Sequence, residues 1–240
     1  MLLRVLEPEV MDSREEAHDY DDMDHSEVNR VFVRDLLLAA NDLLTEHRLK
    51  LDAGEEVRDL EVVDLGTGTA QIPIELCRLT ENLRVVGCDL ATNMLDLAIM
   101  NIDIAQFRHR ISLSHCDAKD LPHQDERFPI VMSNSIVHHI PEPLMALREG
   151  VRVLAPNGVI FIRDLLRPEN DGEVERLVET YAQGCNDHQR AMFDASLRAA
   201  FRLDEVREMV NSLGFPAHEV QATSDRHWTW CGRRTAIVSA

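Results

Sequence analysis

Short apolar runs alternate with segments of helical periodicity along the middle of the chain. Each run is short enough for one buried strand, and between the runs apolar residues recur every three or four positions, as on one face of a helix. This alternation predicts a mostly parallel sheet with helices on both faces, connected by right-handed crossovers. The predicted strands are 59–64, 83–89, 111–116, 128–133 and 159–163.

The N-terminal part combines an acidic segment with one predicted helix. Residues 1–30 hold ten acids and three arginines, a formal charge of −7. One interpretation is a solvated acidic arm. The other is a segment that folds over a site, with Tyr20 as an anchoring side chain. Helical periodicity follows over 24–50, and Asp24 with Glu27 resembles a capping box at its start.

The C-terminal part interrupts the alternation and then closes the sheet. Two helical stretches within 172–201 are interpreted either as packing helices or as a lid over the site. Two last strands, 217–223 and 227–238, would form a hairpin that adds an antiparallel edge. The predicted organisation is an N-terminal cap over 1–50 and one domain over 51–240, which carries the substrate-lid insertion at 168–203.

Composition excludes several classes of partner. The 240 residues include 43 acidic and 25 basic residues, which gives a net charge of −18. Proteins that bind nucleic acid or anionic membranes instead carry a surplus of basic residues. No apolar run reaches the roughly 18 residues of a membrane span. Five cysteines without a CxxC pair predict reduced thiols in a cytoplasmic protein. The sequence therefore predicts neither nucleic acid nor membrane as a partner and leaves a homodimer open.

Polar residues follow successive predicted strands at their carboxyl ends, where open α/β sheets bind ligands. Gly66 and Gly68 let the backbone turn sharply between the first strand and its helix. Asp89 ends the next strand about twenty residues later, where an acid can accept hydrogen bonds from both ribose hydroxyls. These positions predict a nucleotide-like ligand.

The loop after the first strand favours a cationic ligand over a dinucleotide. A dinucleotide loop takes a third small residue at position 71, which here is Gln71. Asp64, just before the turn, would repel a pyrophosphate and attract a cationic amino-acid group. A sulfonium ligand suits this loop and the acidic balance of the chain.

Six segments of the chain carry a recognisable combination of motifs: VVDLGTGTA (62–70), GCDLATNML (87–95), CDAKDLP (116–122), FPIVMSNSIVHHIPEP (128–143), VRVLAPNGVIFIRD (151–164) and SLGF (212–215). Through these segments the chain shows a resemblance to the class I, Rossmann-like S-adenosylmethionine-dependent methyltransferases. It implies an α/β fold, a three-layer α/β/α sandwich around a mostly parallel seven-stranded sheet of order 3-2-1-4-5-7-6, with strand 7 antiparallel. Ala70 stands where a third glycine is common in this family.

The resemblance also implies S-adenosyl-L-methionine as cofactor, S-adenosyl-L-homocysteine as product, and the residues that bind them. The first loop would hold the methionine end, Asp89 the ribose, and the ends of the second and third strands the adenine. The implied cofactor residues are Asp64, Gly66, Thr67, Gly68, Asp89, Leu90, Asp117, Ala118, Asn134 and Ser135.

Candidates for the acceptor side are fewer. His138, His139 and Asp164 follow the fourth and fifth strands and are the candidates for a base, although the histidines could simply cap the next segment. Adjacent histidines converge poorly on one ion, so we predict no metal. The candidate substrate and lid residues are Tyr20, His188 and Arg190.

The sequence therefore predicts a methyltransferase that acts on a small-molecule acceptor by in-line transfer. One alternative is an NAD(P)-dependent oxidoreductase on a similar sheet, although a recognisable Tyr-x-x-x-Lys pair is missing. The other is a non-catalytic S-adenosylmethionine-binding module that uses the acidic arm for interactions.

Overall fold

The computed structural model describes residues 2–10 and 12–235, and a single mixed sheet forms their centre. The strands are β1 (Leu60–Leu65), β2 (Leu83–Asp89), β3 (Ile111–His115), β4 (Phe128–Asn134), β5 (Leu154–Leu165), β6 (Val220–Ala222) and β7 (His227–Arg233). Their order is β3-β2-β1-β4-β5-β7-β6. Strands β1 to β5 pair in parallel, and β7 is antiparallel to both of its neighbours. The predicted fold class and strand order are confirmed.

Helices flank this sheet on both faces. In the described part of the chain they are α1 (Arg14–Asp22), α2 (Ser26–Ala39), α3 (Asn41–Asp52), α4 (Gln71–Leu79), α5 (Thr92–Ile104), α6 (Pro143–Val153), α7 (Asp171–Tyr181), α8 (Asp187–Ala199) and α9 (Leu203–Ser212). Two short 3-10 turns lie at Val137–His139 and Ala217–Glu219.

The two faces of the sheet carry separate apolar cores. Val62 and Val63 of β1 are both fully buried but belong to opposite clusters, because successive side chains of a strand point to opposite faces. Val62 packs in the cluster of Phe32 from α2, and Val63 in the cluster of Trp228 and Trp230 from β7. Burial on both faces explains why the central strands read as continuous apolar runs.

The predicted helix over 24–50 is wrong in one respect, because two helices meet at Ala40. The buried side chain of Ala40 lies at the junction, which lets α2 pack on the sheet while α3 buries His47. The predicted capping box is also absent: His25 precedes α2, and Asp24 Oδ1 instead accepts from the N–H of Ser26 at 3.0 Å. The observed capping box, Ser13 with Glu16, begins α1.

The N-terminal segment packs against the insertion between β5 and α9. The N–H of Leu2 donates to the carbonyl of Glu169 at 3.0 Å, and the N–H of Val5 donates to that of Arg198 at 3.1 Å. Asp19 of α1 lies 2.5 Å from His188 Nδ1 on α8. Part of the acidic segment is thus folded onto the domain. The cap and lid assignments stay predictions.

The C-terminal hairpin is shorter than predicted. The first predicted strand, 217–223, is a 3-10 turn followed by β6, and the second ends at Arg233. The last predicted strand residues, 236–238, lie outside the described residues. None of the described helices combines the length and the apolar character that a membrane crossing requires.

Candidate functional site

A cavity of about 780 Å³, its open mouth included, lies at the carboxyl ends of β1 to β4. This is the sheet edge where parallel α/β folds bind ligands. Eight of the ten predicted cofactor residues line it: Gly66, Gly68, Asp89, Leu90, Asp117, Ala118, Asn134 and Ser135.

The loop after β1 forms one wall of this cavity through left-handed backbone conformations. Gly66 has φ +70° and Gly68 φ +54°. A Cβ added to Gly66 would lie 2.0 Å from Cγ2 of Ile136, so only glycine fits there. Ala70 also has a left-handed φ of 63°. This conformation costs about 1–2 kcal/mol for alanine but not for glycine, which explains why glycine is common at this position.

Asp89 fastens this loop from the end of β2. Its Oδ2 accepts from the N–H of Gly68 at 2.7 Å, and its Oδ1 accepts from the N–H of Ala91 at 2.9 Å. Burial raises the pKa of the Asp89 carboxyl, and these two hydrogen bonds oppose that rise. Each carboxylate oxygen can accept a further hydrogen bond, so a diol in the cavity could bind here.

Asp64 and Thr67, the other two predicted cofactor residues, are buried and lie outside the cavity lining. Asp64 is 2% exposed, and burial raises the pKa of its carboxyl to about 7, with the nearby Thr67 hydroxyl lowering it and the charge of Asp89 raising it. The Thr67 side chain packs over Gly87 of β2, where a Cβ would meet its Oγ1 at 2.7 Å. The loop lines the cavity through Gly66 and Gly68, whereas the side chains of Asp64 and Thr67 do not line it.

The third strand contributes an ion-pair bridge at the rim. Asp117 Oδ1 accepts from the N–H of Lys119 at 2.8 Å, and its Oδ2 lies 3.2 Å from Lys119 Nζ. The same ammonium group forms an ion pair with Glu9 of the N-terminal segment. Lys119 therefore ties that segment to the rim.

Asn134 and Ser135 form the wall after β4. Ser135 has a left-handed φ of 59°, and its N–H donates to the carbonyl of Arg163 at 2.9 Å. Asn134 Oδ1 is buried and accepts no hydrogen bond from the described residues. An unpaired buried acceptor at a cavity wall suits a ligand that donates, such as a protonated amino group.

Of the predicted lid residues, only Tyr20 lines the cavity. Burial raises the pKa of Tyr20 to about 12, with Asp64 and Asp89 adding to the rise, so its hydroxyl stays protonated. His188 pairs with Asp19, and Arg190 Nη1 donates to the carbonyl of Ala182 at 3.1 Å. His188 and Arg190 therefore contact other helices and do not line the cavity.

The predicted base candidates separate into two environments. His139 lines the cavity, whereas His138 is 3% exposed and lies behind it. His138 Nδ1 is 2.5 Å from Oδ1 of the fully buried Asp164. Burial alone would lower the pKa of His138, but Asp164 raises it above its ordinary value. Burial and the charge of His138 lower the pKa of His139 to about 3.

Sequence reasoning missed further residues of the lining. Cys88, Ala91 and Met94 lie beside Asp89 or one helical turn beyond it, so strand-end position and helical spacing could have identified them. Glu9 and Val10 carry no such signal, because they precede the sheet by some fifty residues. The lining residues that were not predicted are Glu9, Val10, Cys88, Ala91, Met94, Cys116, Lys119, Ile136 and Ile140.

Residues 63–162, which carry this cavity's first four strand ends, match a family model described as a methyltransferase domain. This part of the chain is therefore similar to methyltransferase domains, and the match spans less than half of the chain. A demethylmenaquinone methyltransferase of Lactobacillus johnsonii is 32% identical over 124 residues, which are 51% of this chain and 49% of that protein. Methyltransferase GfsG of Streptomyces halstedii is 30% identical over 135 residues, 55% of this chain and 46% of that protein. The chain spans about half the length of these curated relatives.

The fold is also similar to that of solved structures with little sequence identity. A SAM-dependent methyltransferase from Aquifex aeolicus superimposes with a TM-score of 0.59 at 16% identity, over 92% of this chain and 98% of that one. At this identity the likeness concerns the fold alone.

The cavity residues fit S-adenosyl-L-methionine, the cofactor that the sequence motifs imply. The unpaired Asn134 Oδ1 offers an acceptor to the cofactor's amino group. The Asp89 carboxylate, held by Gly68 and Ala91, offers acceptors to a ribose diol. Gly66 leaves no side chain between the loop and Ile136. The donors and acceptors present therefore suit a cationic nucleoside.

Proposed function

We propose that this chain is an S-adenosyl-L-methionine-dependent methyltransferase that acts on a small-molecule acceptor. The observation that carries the proposal is the cavity itself, in which Asp89 and Asn134 stand at two strand ends under an N-terminal segment. The cavity thus combines polar groups that suit a cationic nucleoside with apolar lining residues.

The bound cofactor would supply a methyl group activated by its positive sulfur, and the protein would supply orientation and exclusion of water. Asp89 would hold the ribose, and Asn134 would hold the amino group. Gly66 and Gly68 would let the backbone approach closely. Fixing acceptor and methyl in line accounts for much of the rate in such reactions, since it replaces a bimolecular encounter.

The acceptor is small because the N-terminal segment covers the cavity. Val10 and Tyr20 line it, and the ion pairs of Lys119 with Glu9 and Asp117 hold the segment at the rim. A macromolecular acceptor would have to displace these contacts. Ile140 also lines the cavity, and its apolar side chain suits an apolar, compact acceptor.

His139 would contact the acceptor as a neutral ring. Its pKa of about 3 keeps the ring neutral at physiological pH, so it can form a hydrogen bond with an acceptor hydroxyl but is a weak base. His138 and Asp164 lie behind it and would act by positioning. The named activity of the Lactobacillus johnsonii relative makes a demethylmenaquinone-like quinol one member of the acceptor panel.

Calorimetric titration of the full chain with S-adenosyl-L-methionine and, separately, with NAD⁺ tests the cofactor. We expect only the former to bind. Binding of NAD⁺ alone would overturn the proposal in favour of an oxidoreductase.

Release of S-adenosyl-L-homocysteine is then measured across a panel of quinols, phenols, amines and carboxylic acids. We expect turnover with at least one compact acceptor. Tight cofactor binding without turnover on any small acceptor would instead support a non-catalytic binding module.

A further inference from the structure

Three side chains with metal-binding atoms meet where the N-terminal segment crosses the 3-10 turn after β4. Glu7 Oε1 lies 3.5 Å from His138 Nε2 and 3.1 Å from His139 Nδ1. One potential ligand atom from each of the three residues lies within 4.8 Å of the others. The sequence disfavoured a metal because two adjacent histidines converge poorly. Glu7, distant in sequence, supplies the third donor.

Two of these three atoms have no hydrogen-bond partner among the described residues. Glu7 Oε1 and His139 Nδ1 are both buried, and although they are close, neither makes a hydrogen bond. Leaving buried polar atoms unpaired costs about 1–3 kcal/mol each, and such atoms in a folded protein call for an explanation, an absent ion being one. Two orphaned atoms that face one another point to a shared ligand.

The remaining donor, His138, is oriented as metal-binding histidines are. Its Nδ1 carries a proton toward Asp164, since the carboxylate can only accept. In the neutral ring, which coordination requires, its Nε2 then presents a lone pair toward Glu7. A histidine that donates its other ring N–H to a carboxylate is the usual second layer of a metal site.

We propose that Glu7, His138 and His139 bind a divalent transition-metal ion, for which Zn²⁺ is the representative. Two ligand atoms on a tetrahedral zinc ion are separated by roughly 3.4 Å, as follows from bond lengths of about 2.0–2.2 Å. The two distances from Glu7 match that separation. Two histidines and one glutamate form a known zinc ligand set, whereas Ca²⁺ and Mg²⁺ prefer oxygen atoms throughout.

Two carboxylates lie beside the proposed ion. Glu7 and Asp164 together carry two negative charges in a region that is almost fully buried. The guanidinium of Arg4, whose Nη2 donates to the carbonyl of His138 at 3.0 Å, supplies one positive charge there. A divalent cation would offset the remaining negative charge and leave the histidines neutral, as coordination requires.

The ion would fasten the N-terminal segment over the cavity. Glu7 belongs to that segment, and His139 lines the cavity. Lys119 and Glu9 form a second attachment only two residues farther along. This role is independent of the proposed methyl transfer, so the site can be tested without an acceptor.

The experiment is a Zn²⁺ titration of the full chain, stripped with a chelator, in competition with a chromophoric chelator. We expect one equivalent to bind. Glu7→Gln and His139→Gln should each weaken binding at least about 100-fold, and Asp164→Asn by about 10–100-fold, the range for a lost second-layer partner. Glu15→Gln, an exposed acid of α1 outside the site, should leave the affinity unchanged. Cys116→Ser should do the same, which excludes a thiol site.

Hydrogen exchange provides a second readout. Zn²⁺ should slow exchange of the backbone amides of residues 2–10 in the wild-type protein and leave them unchanged in Glu7→Gln. Equal affinity of the wild type and Glu7→Gln, or loss of binding in Cys116→Ser, would overturn the proposal. Circular dichroism checks the fold of each variant. If His139→Gln is unfolded, Glu7→Gln decides, because Glu7 lies in a segment outside the helices and strands.

Discussion

Asp64 makes the stability of this protein depend on pH in an unusual direction. The side chain is 2% exposed at the end of β1, and burial raises its pKa to about 7. The informative change is Asp64→Asn, which keeps the shape of the side chain and removes the ionisable group.

The magnitude follows from the two pKa values. In the unfolded chain an aspartate titrates near pH 3.9. Below that pH both states hold the proton, and the wild type has its full stability. As the pH rises toward 7, the unfolded chain releases the proton while the folded protein keeps it, so unfolding becomes more favourable. The total loss is about 4 kcal/mol, of which about 2.7 kcal/mol falls between pH 5 and pH 8.

Urea unfolding of the wild type and Asp64→Asn at pH 5 and pH 8, both without cofactor, measures this loss. The stability of the variant relative to the wild type should increase by about 2.7 kcal/mol between the two pH values. Asp96→Asn, an exposed substitution on α5, controls for the loss of any acid from this acidic chain. A difference between Asp64→Asn and the wild type that is the same at both pH values would refute the reasoning.

Further predictions concern the loop, the ligand and the buried ion pair. Gly66→Ala places a Cβ where it would overlap the facing isoleucine, whereas Gly54→Ala has a similar positive φ in open space. Gly66→Ala should therefore lower the free energy of unfolding by at least about 2 kcal/mol more than Gly54→Ala, which is within the range for strained substitutions. Equal urea midpoints of the two variants would contradict this. Asp89→Asn should weaken S-adenosyl-L-methionine binding about tenfold or more by calorimetry, since hydrogen bonds to a charged acceptor contribute about 1.5–3 kcal/mol and about 1.4 kcal/mol corresponds to a factor of ten; unchanged affinity would exclude the ribose assignment. Asp164→Asn should cost about 3–5 kcal/mol at pH 7 by breaking the buried pair with His138. Because His138 lowers the pKa of Asp164 against the opposing effect of burial, that cost should shrink as the pH falls below about 4, and a constant cost would argue against the pair.

The sequence alone determined the features that depend on neighbouring residues. The period of the apolar positions identified the strands, because a strand or a helix buries its own regular subset of side chains. The glycines at 66 and 68 and the acid at 89 marked the loop and its partner, since positive φ values and strand-end position are local properties. The strand order came through the resemblance of these segments to a known family.

Only the tertiary structure decided how distant segments meet. The break at Ala40, where φ −90° and ψ 5° depart from helical values, is not revealed by periodicity. Asp64 belongs to the predicted motif, yet the turn of the loop buries its side chain away from the cavity. Glu7 reaches His138 and His139 across more than half of the chain. Such contacts depend on how whole helices and strands pack, so the residues adjacent in sequence do not predict them.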